Sequence, residues 1–228
     1  MVSLSTSTAI ARVRKNLDEI LPNDSDMYIP SGDNTENPSL DDIIKRNLPE
    51  AINAVHLSAP ATSLVGDDAT FVGNEVSVDT NGVMTFEINS TADILRLVSF
   101  KAKDSAVVVT DVLEESSPEG RKQLNRFIRG RSDRPRLVRS QVDKKTYKYY
   151  TLSFAPSQTT EYTPSEKIDM CKYLPVLKYN ISSPATSYQI DSESVEQNVI
   201  DCLTGMVLET YSQPEKAKTF YDRSIIFH

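Results

Sequence analysis

Residues 74–88 read NEVSVDTNGVMTFEI, and the register of this stretch decides the fold class. Apolar and polar residues alternate on either side of Thr80-Asn81-Gly82, the pattern of two strands that share one buried face. A three-residue loop sets Val78 opposite Met84 and Val76 opposite Phe86, whereas a two-residue loop sets the same valines across from Thr85 and Glu87. Burial of one face favours the longer loop, with Gly82 in the left-handed conformation.

Downstream of this hairpin the period of two continues. Strands are expected at ILRLVSFKA (94–102), SAVVVT (105–110), RLVRSQV (136–142) and KTYKYYTLSF (145–154). Between them, Ser117 as cap and Pro118 at the first position start a helix over 118–129, with Leu124, Phe127 and Ile128 facing inward. Residues 155–167 read as loop. CKYLPVLKYNI (171–181) reads as a strand that Pro175 confines to an edge or breaks.

On both flanks the period is helical. Ile10, Val13, Leu17 and Ile20 form the stripe of an amphipathic helix over 5–21. Ser39 caps a second one carrying Leu40, Ile44, Leu48, Ala51, Ile52 and Val55; at Pro49 it either kinks or gives way to a new helix. The text between them, PNDSDMYIPSGDNTENP (22–38), is turn chemistry and reads as an extended arm. At the C-terminal side Ser192 caps a helix with the stripe Val195, Val199, Cys202, Leu203 and Met206, and a short helix follows over 214–223 around Ala217 and Phe220. The expected fold is therefore α+β: a helical bundle from N- and C-terminal helices with a mainly antiparallel β-sheet insertion. Its parts are residues 1–67 (helices and the long loop), 68–181 (the β-rich region with one short helix) and 182–228 (helices packing on the N-terminal ones).

Length and composition agree with such a fold. A chain of 228 residues can bury a core without staples, and its 39% hydrophobic content is modest. No apolar run is long enough to span a bilayer, and the first residues lack a basic segment followed by an apolar one, so a cytoplasmic location and no membrane partner are expected. The two cysteines, Cys171 and Cys202, then read as buried thiols.

Catalytic chemistry finds little foothold. The two histidines are His56, near the end of a helix, and His228, the last residue, so a two-histidine metal site needs both to converge. Gly-rich phosphate loops, nucleophile elbows and zinc helices are absent. The doublets Asp41-Asp42, Asp67-Asp68 and Glu114-Glu115 read as solvated surface or helix-start charges, with a turn at Asp67-Asp68. No enzyme activity, cofactor or metal is expected.

One feature stands out from this background. The net charge is −7, yet residues 121–148 carry 11 basic and 2 acidic residues, leaving 14 basic and 30 acidic elsewhere. Three readings of this basic island compete: a solvated face, a face that docks an acidic protein surface or neighbouring subunit, and a nucleic-acid binding module in which arginines meet phosphates and aromatic rings stack on bases. Arginine dominates over lysine up to residue 139, and its planar fork suits fixed interfaces with carboxylates. Identical copies with one basic island on an acidic chain attract one another head to tail, a contact that closes into a ring when the rotation permits. The residues expected to meet a neighbour are Arg126, Arg129, Arg131, Arg134, Arg136 and Arg139, supported by Phe127, Tyr147 and Tyr149.

The succession of the runs at 94–127, 134–156, 173–184 and 192–225 resembles the head-to-tail adaptor (connector, or head-completion) proteins of tailed bacteriophages. The likeness covers about residues 68–228. It rests on the order strand, short helix, hairpin, with Thr151, Leu152, Ser153, Phe154, Ala155 and Pro156 supplying a Leu-x-Leu/Phe-x-Pro phrase and Ala217, Phe220 and Tyr221 the tail. The resemblance implies a non-enzymatic virion protein, assembled in the host cytoplasm. It forms a ring of about a dozen copies between portal protein and tail or further ring proteins, and DNA passes through the lumen without specific binding.

Overall fold

The computed structural model describes residues 2–20, 39–74, 76–151 and 156–225. The arm at 22–38, the Leu152–Ala155 part of the hairpin phrase and His228 lie outside the described residues. The fold is α+β, and the chain divides into two compact units, residues 1–65 with 177–228, and residues 66–176. The units therefore change over at 65/66 and 176/177 and not at 67/68 and 181/182. Asp67 and Asp68 pair with a strand of the sheet unit, and Leu177 packs on the helical core, which moves both boundaries.

The first unit contains β1 (Val2–Ser5), α1 (Thr6–Ile20) and α2 (Leu40–Ser58), and the chain returns to it at residue 177. The second unit runs β2 (Asp67–Asp68), β3 (Val76–Val78), β4 (Val83–Glu87), β5 (Ile94–Ala102), β6 (Val112–Glu114), α3 (Pro118–Lys122), β7 (Arg136–Arg139), β8 (Thr146–Tyr150), β9 (Thr160–Tyr162), α4 (Pro164–Lys167) and β10 (Ile168–Pro175). The helical unit then closes with β11 (Ser187–Ile190), α5 (Glu193–Thr210) and α6 (Pro214–Ile225).

In the helical unit, the periodic stripes meet in one core. Ala9, Val13 and Leu17 of α1, Leu40, Ile44, Leu48 and Ile52 of α2, Val195, Val199 and Leu203 of α5, and Ala217 and Phe220 of α6 are all buried there. Ser39 caps α2 by accepting the Asp42 amide. The helix runs through Pro49 without a second start, because the lost bond of an interior proline, about 3 kcal/mol, is outweighed by burial of the continuous stripe on either side of it. Gly205 lets α5 and α6 approach closely, since a Cβ there would lie 2.8 Å from the Tyr221 ring. One feature escaped the sequence: β1 pairs antiparallel with β11, Val2 to Ile190 through Ser5 to Ser187, so a short ribbon joins both flanks of the chain. Ion pairs Arg12–Glu196 and Arg14–Asp41 join α1 to α5 and α2 at the surface.

The sheet unit holds a six-stranded sheet, order β6-β7-β8-β4-β3-β9, and a three-stranded sheet, order β2-β10-β5. The hairpin β3–β4 has the register expected from burial, with Val78 opposite Met84, and Gly82 has φ 74. Asp79 fixes the turn: its carbonyl accepts the Gly82 amide at 2.9 Å and its carboxylate accepts the Asn81 and Val83 amides, each at 2.8 Å. The two sheets share a core in which Phe86 of β4 stacks on Phe100 of β5 at 4.9 Å and on Tyr147 of β8 at 5.7 Å.

Several expectations change here. No strand forms at 105–110; Val109 only bridges Phe100, and the pairing strand is β6, parallel to β7. Residues 156–167 include β9, which extends the six-stranded sheet, and α4. The strand around Cys171 starts earlier, at Ile168, and lies between β2 and β5, ending at Pro175, which has no N–H to donate to the ladder. Asp67-Asp68 is a strand rung and not a turn, and Asp68 pairs with Lys172 at 3.1 Å.

Candidate interaction surface

The basic island divides into a fixed part and a displayed part. Its β8 residues are core: Tyr147 and Tyr149 are buried among Phe86, Phe100 and Leu137, so neither presents a ring to a partner, contrary to the reading of the sequence. Alternation explains this, because Tyr147 and Tyr149 share the face of β8 that meets Phe86 and Phe100. Burial raises the Tyr147 hydroxyl well above its ordinary value.

Arg129 and Arg139 also leave the surface. Arg129 is 7% exposed and donates to the Asn81 carbonyl in the β3–β4 turn. Arg139 donates to the carbonyls of Ile94 at 2.6 Å and Lys144 at 3.0 Å, and lies 3.9 Å from Glu114. Nearby, Lys148 pairs with Glu115 at 2.8 Å, a bond that lowers the Glu115 carboxyl below its usual range. These cations act within the unit as ties between strands.

Most of what remains displayed sits on the loop from Ser117 to Pro135, with Lys144 exposed apart from it in the turn between β7 and β8. The expected helix over 118–129 is correct in its start, with Ser117 accepting the Gly120 amide and Pro118 at the first position, and wrong in its length. α3 ends at Lys122 because the Gln123 side chain turns inward, donating to the Glu119 carbonyl at 3.1 Å and accepting the Gly130 amide at 2.8 Å. Asn125 then takes the following amides, its side chain that of Phe127 and its carbonyl those of Ile128 and Arg129, a local alternative to helix that asparagine readily offers. The three apolar residues expected inward consequently point out: Leu124 is 71%, Phe127 85% and Ile128 57% exposed.

The base of this loop is firm. A Cβ on Gly120 would lie 2.1 Å from the Glu114 carbonyl oxygen, and one on Gly130 2.6 Å from that of Tyr150, so backbone packs against backbone at both ends. Arg131 and Arg134 exchange reciprocal backbone bonds of 3.1 and 3.0 Å, making a tight turn whose two arginines are exposed. Arg126 is exposed at the tip, and Arg136, in β7, is half-buried at 3.7 Å from Asp111. The structure thus brings Arg126, Phe127, Arg131 and Arg134 onto one displayed loop, joined by Leu124 and Ile128, for which the helical spacing predicts an inward position. Gln123 was the signal missed: a polar residue on the expected inner face of the helix.

The charges also sort by unit. Residues 66–176 carry 16 basic and 16 acidic residues, so the island is balanced within its own unit. Residues 1–65 with 177–228 carry 9 basic and 16 acidic, which is the whole net charge of −7.

Other chemistry is accounted for locally. Both cysteines are free and buried, and burial pushes the Cys171 thiol up to about 12 and the Cys202 thiol up to about 11. His56 is buried with its Nε2 3.7 Å from Asp191, inside the helical unit. A cavity of about 130 Å³ in the sheet unit contains Asp104 and Lys167, which pair with each other at 3.3 Å. Among the described residues no group of three or more His, Cys, Asp or Glu side chains is placed to hold a metal ion, and no helix is long and apolar enough to cross a membrane. No protein family, curated protein or solved structure matches this chain.

Proposed function

We propose that this chain is a structural subunit of a tailed-phage virion, an adaptor that assembles into a ring between portal and tail. One observation supports this reading above the others: a loop anchored at its base displays three large apolar side chains with arginines beside them. Exposed apolar residues at an ordered tip mark a docking element, because such a patch is costly in water unless a partner covers it. The neighbour is a second copy, whose helical unit carries seven net negative charges while the loop carries exposed arginines. Such a contact is heterologous and repeats around an axis until it closes. Portal and tail proteins then bind the ring, and DNA crosses its lumen without sequence-specific contact.

A nucleic-acid module receives less support, because Tyr147 and Tyr149, the rings that would stack on bases, belong to the core. Electron microscopy of the purified chain, alone and mixed with a candidate portal protein, tests the proposal. Rings or portal-bound rings are the expected result. A chain that stays single in both samples and binds duplex DNA with a steep salt dependence lost in Arg131→Glu/Arg134→Glu overturns it in favour of the module.

A further inference from the structure

The displayed loop has a second face. Beside the tip, an open cleft of about 620 Å³ lies between the Arg131–Arg134 turn, Arg136 and the start of α3, with Ile128 and Leu113 contributing apolar wall. Its cations, Lys122, Arg129, Arg131, Arg134 and Arg136, outnumber its acids, Asp111, Glu119 and Asp133. Arg129 is committed to the Asn81 carbonyl and Arg136 shares Asp111, which leaves the exposed Lys122, Arg131 and Arg134 as the cations offered to a ligand. Two arginines at the base of a tight turn, next to apolar wall, suit an extended acidic peptide better than a compact anion, because the guanidinium forks match separate carboxylates along a chain.

One segment of that chemistry lies outside the described helices and strands. Residues 22–38 carry Asp24, Asp26, Asp33 and Glu36, no Lys or Arg, and an apolar centre, Met27-Tyr28-Ile29. Joined at both ends to helices of its own unit, a segment of this length reaches at most roughly 30 Å outward, enough to cross onto an adjacent subunit. We propose that the cleft receives segment 22–38 of a second copy of the chain, the carboxylates meeting Arg131 and Arg134 and the apolar centre covering Ile128 and Leu113. The inference rests on the ring reading and names the clasp between neighbours.

A charge swap in the full chain tests it. One variant carries Arg131→Glu and Arg134→Glu; the other carries Asp24→Lys, Asp26→Lys, Asp33→Lys and Glu36→Lys. Circular dichroism and thermal melting establish that each is folded like the wild type. Sedimentation is expected to show self-association weakened at least about tenfold in each variant alone. An equimolar mixture should regain it, since each cleft then meets an arm of opposite sign on the other copy. Wild-type assembly with undiminished association of the arm variant overturns the clasp and leaves the ring reading standing. Weakened variants that do not recover on mixing place the arm elsewhere and also overturn the clasp. A wild-type chain that never associates overturns the ring reading itself.

Discussion

The side-chain oxygen of Gln123 accepts the amide of Gly130 at 2.8 Å, and this bond closes the loop whose tip carries Leu124, Phe127 and Ile128. Gln123 is itself buried, so the bond is sheltered from water and decides whether the tip is a rigid element or a frayed one. Removing the acceptor leaves a buried N–H with no partner. Gln123→Ala is expected to cost about 1–3 kcal/mol in denaturant unfolding and to speed hydrogen exchange at Gly130 specifically. Unchanged exchange at that amide would mean the loop is held by other contacts.

Tip residues and core residues are expected to differ in what their loss does. Leu124→Ser with Phe127→Ser touches only exposed side chains, so stability should stay within about 0.5 kcal/mol while self-association falls. Both quantities come from the same samples, by thermal melting and light scattering. A variant that melts earlier instead would place the tip in the fold and remove it from the interface.

Tyr147 gives the converse case. Its ring stacks on Phe86, but among the described residues no group hydrogen-bonds its buried hydroxyl. Tyr147→Phe keeps the ring and deletes the uncompensated polar atom, so stability should be unchanged or higher by roughly 1 kcal/mol, with assembly unaffected. A loss above about 1 kcal/mol in the unfolding free energy would reveal a partner for that hydroxyl.

His56 makes the helical unit sensitive to acid. Burial, the larger effect, lowers its pKa below the ordinary value, and the negative charge of Asp191 opposes this in part. A histidine that is harder to protonate in the fold than in the unfolded chain contributes its full stability above about pH 6.5. The contribution is lost as the pH falls below that value, because the unfolded state then binds more protons. Chemical denaturation between pH 7.5 and 5 should therefore show a decline that is shallower in His56→Gln. Equal slopes in the two proteins would assign the decline to carboxylates.

Much of the fold was legible because its elements have strong local period. The stripe Leu40, Ile44, Leu48, Ile52 predicted α2, Ser192 predicted the start of α5, and the alternation around Asn81-Gly82 predicted the hairpin register, since a slip of one would bury Thr85. What escaped was non-local. β1 and β11 are four residues each, and they pair with one another across most of the chain while Leu4 and Ile190 enter the helical core. β6, three residues long, replaced the more apolar stretch at 105–110 because it lies parallel beside β7. The candidate surface was half legible: the arginines were visible as a run, but whether Phe127 and Tyr147 point outward depended on where α3 stops and on which face of β8 meets Phe86. Both were set by tertiary contacts, the inward turn of Gln123 and the stacking of aromatic rings.

Sedimentation of the purified wild-type chain over a dilution series shows whether copies of the chain join. A closed oligomer of discrete mass is expected, one that dissociates on dilution or added salt and is lost in Leu124→Ser with Phe127→Ser. A single species at the monomer mass of 25.5 kDa at every concentration and salt level would contradict it.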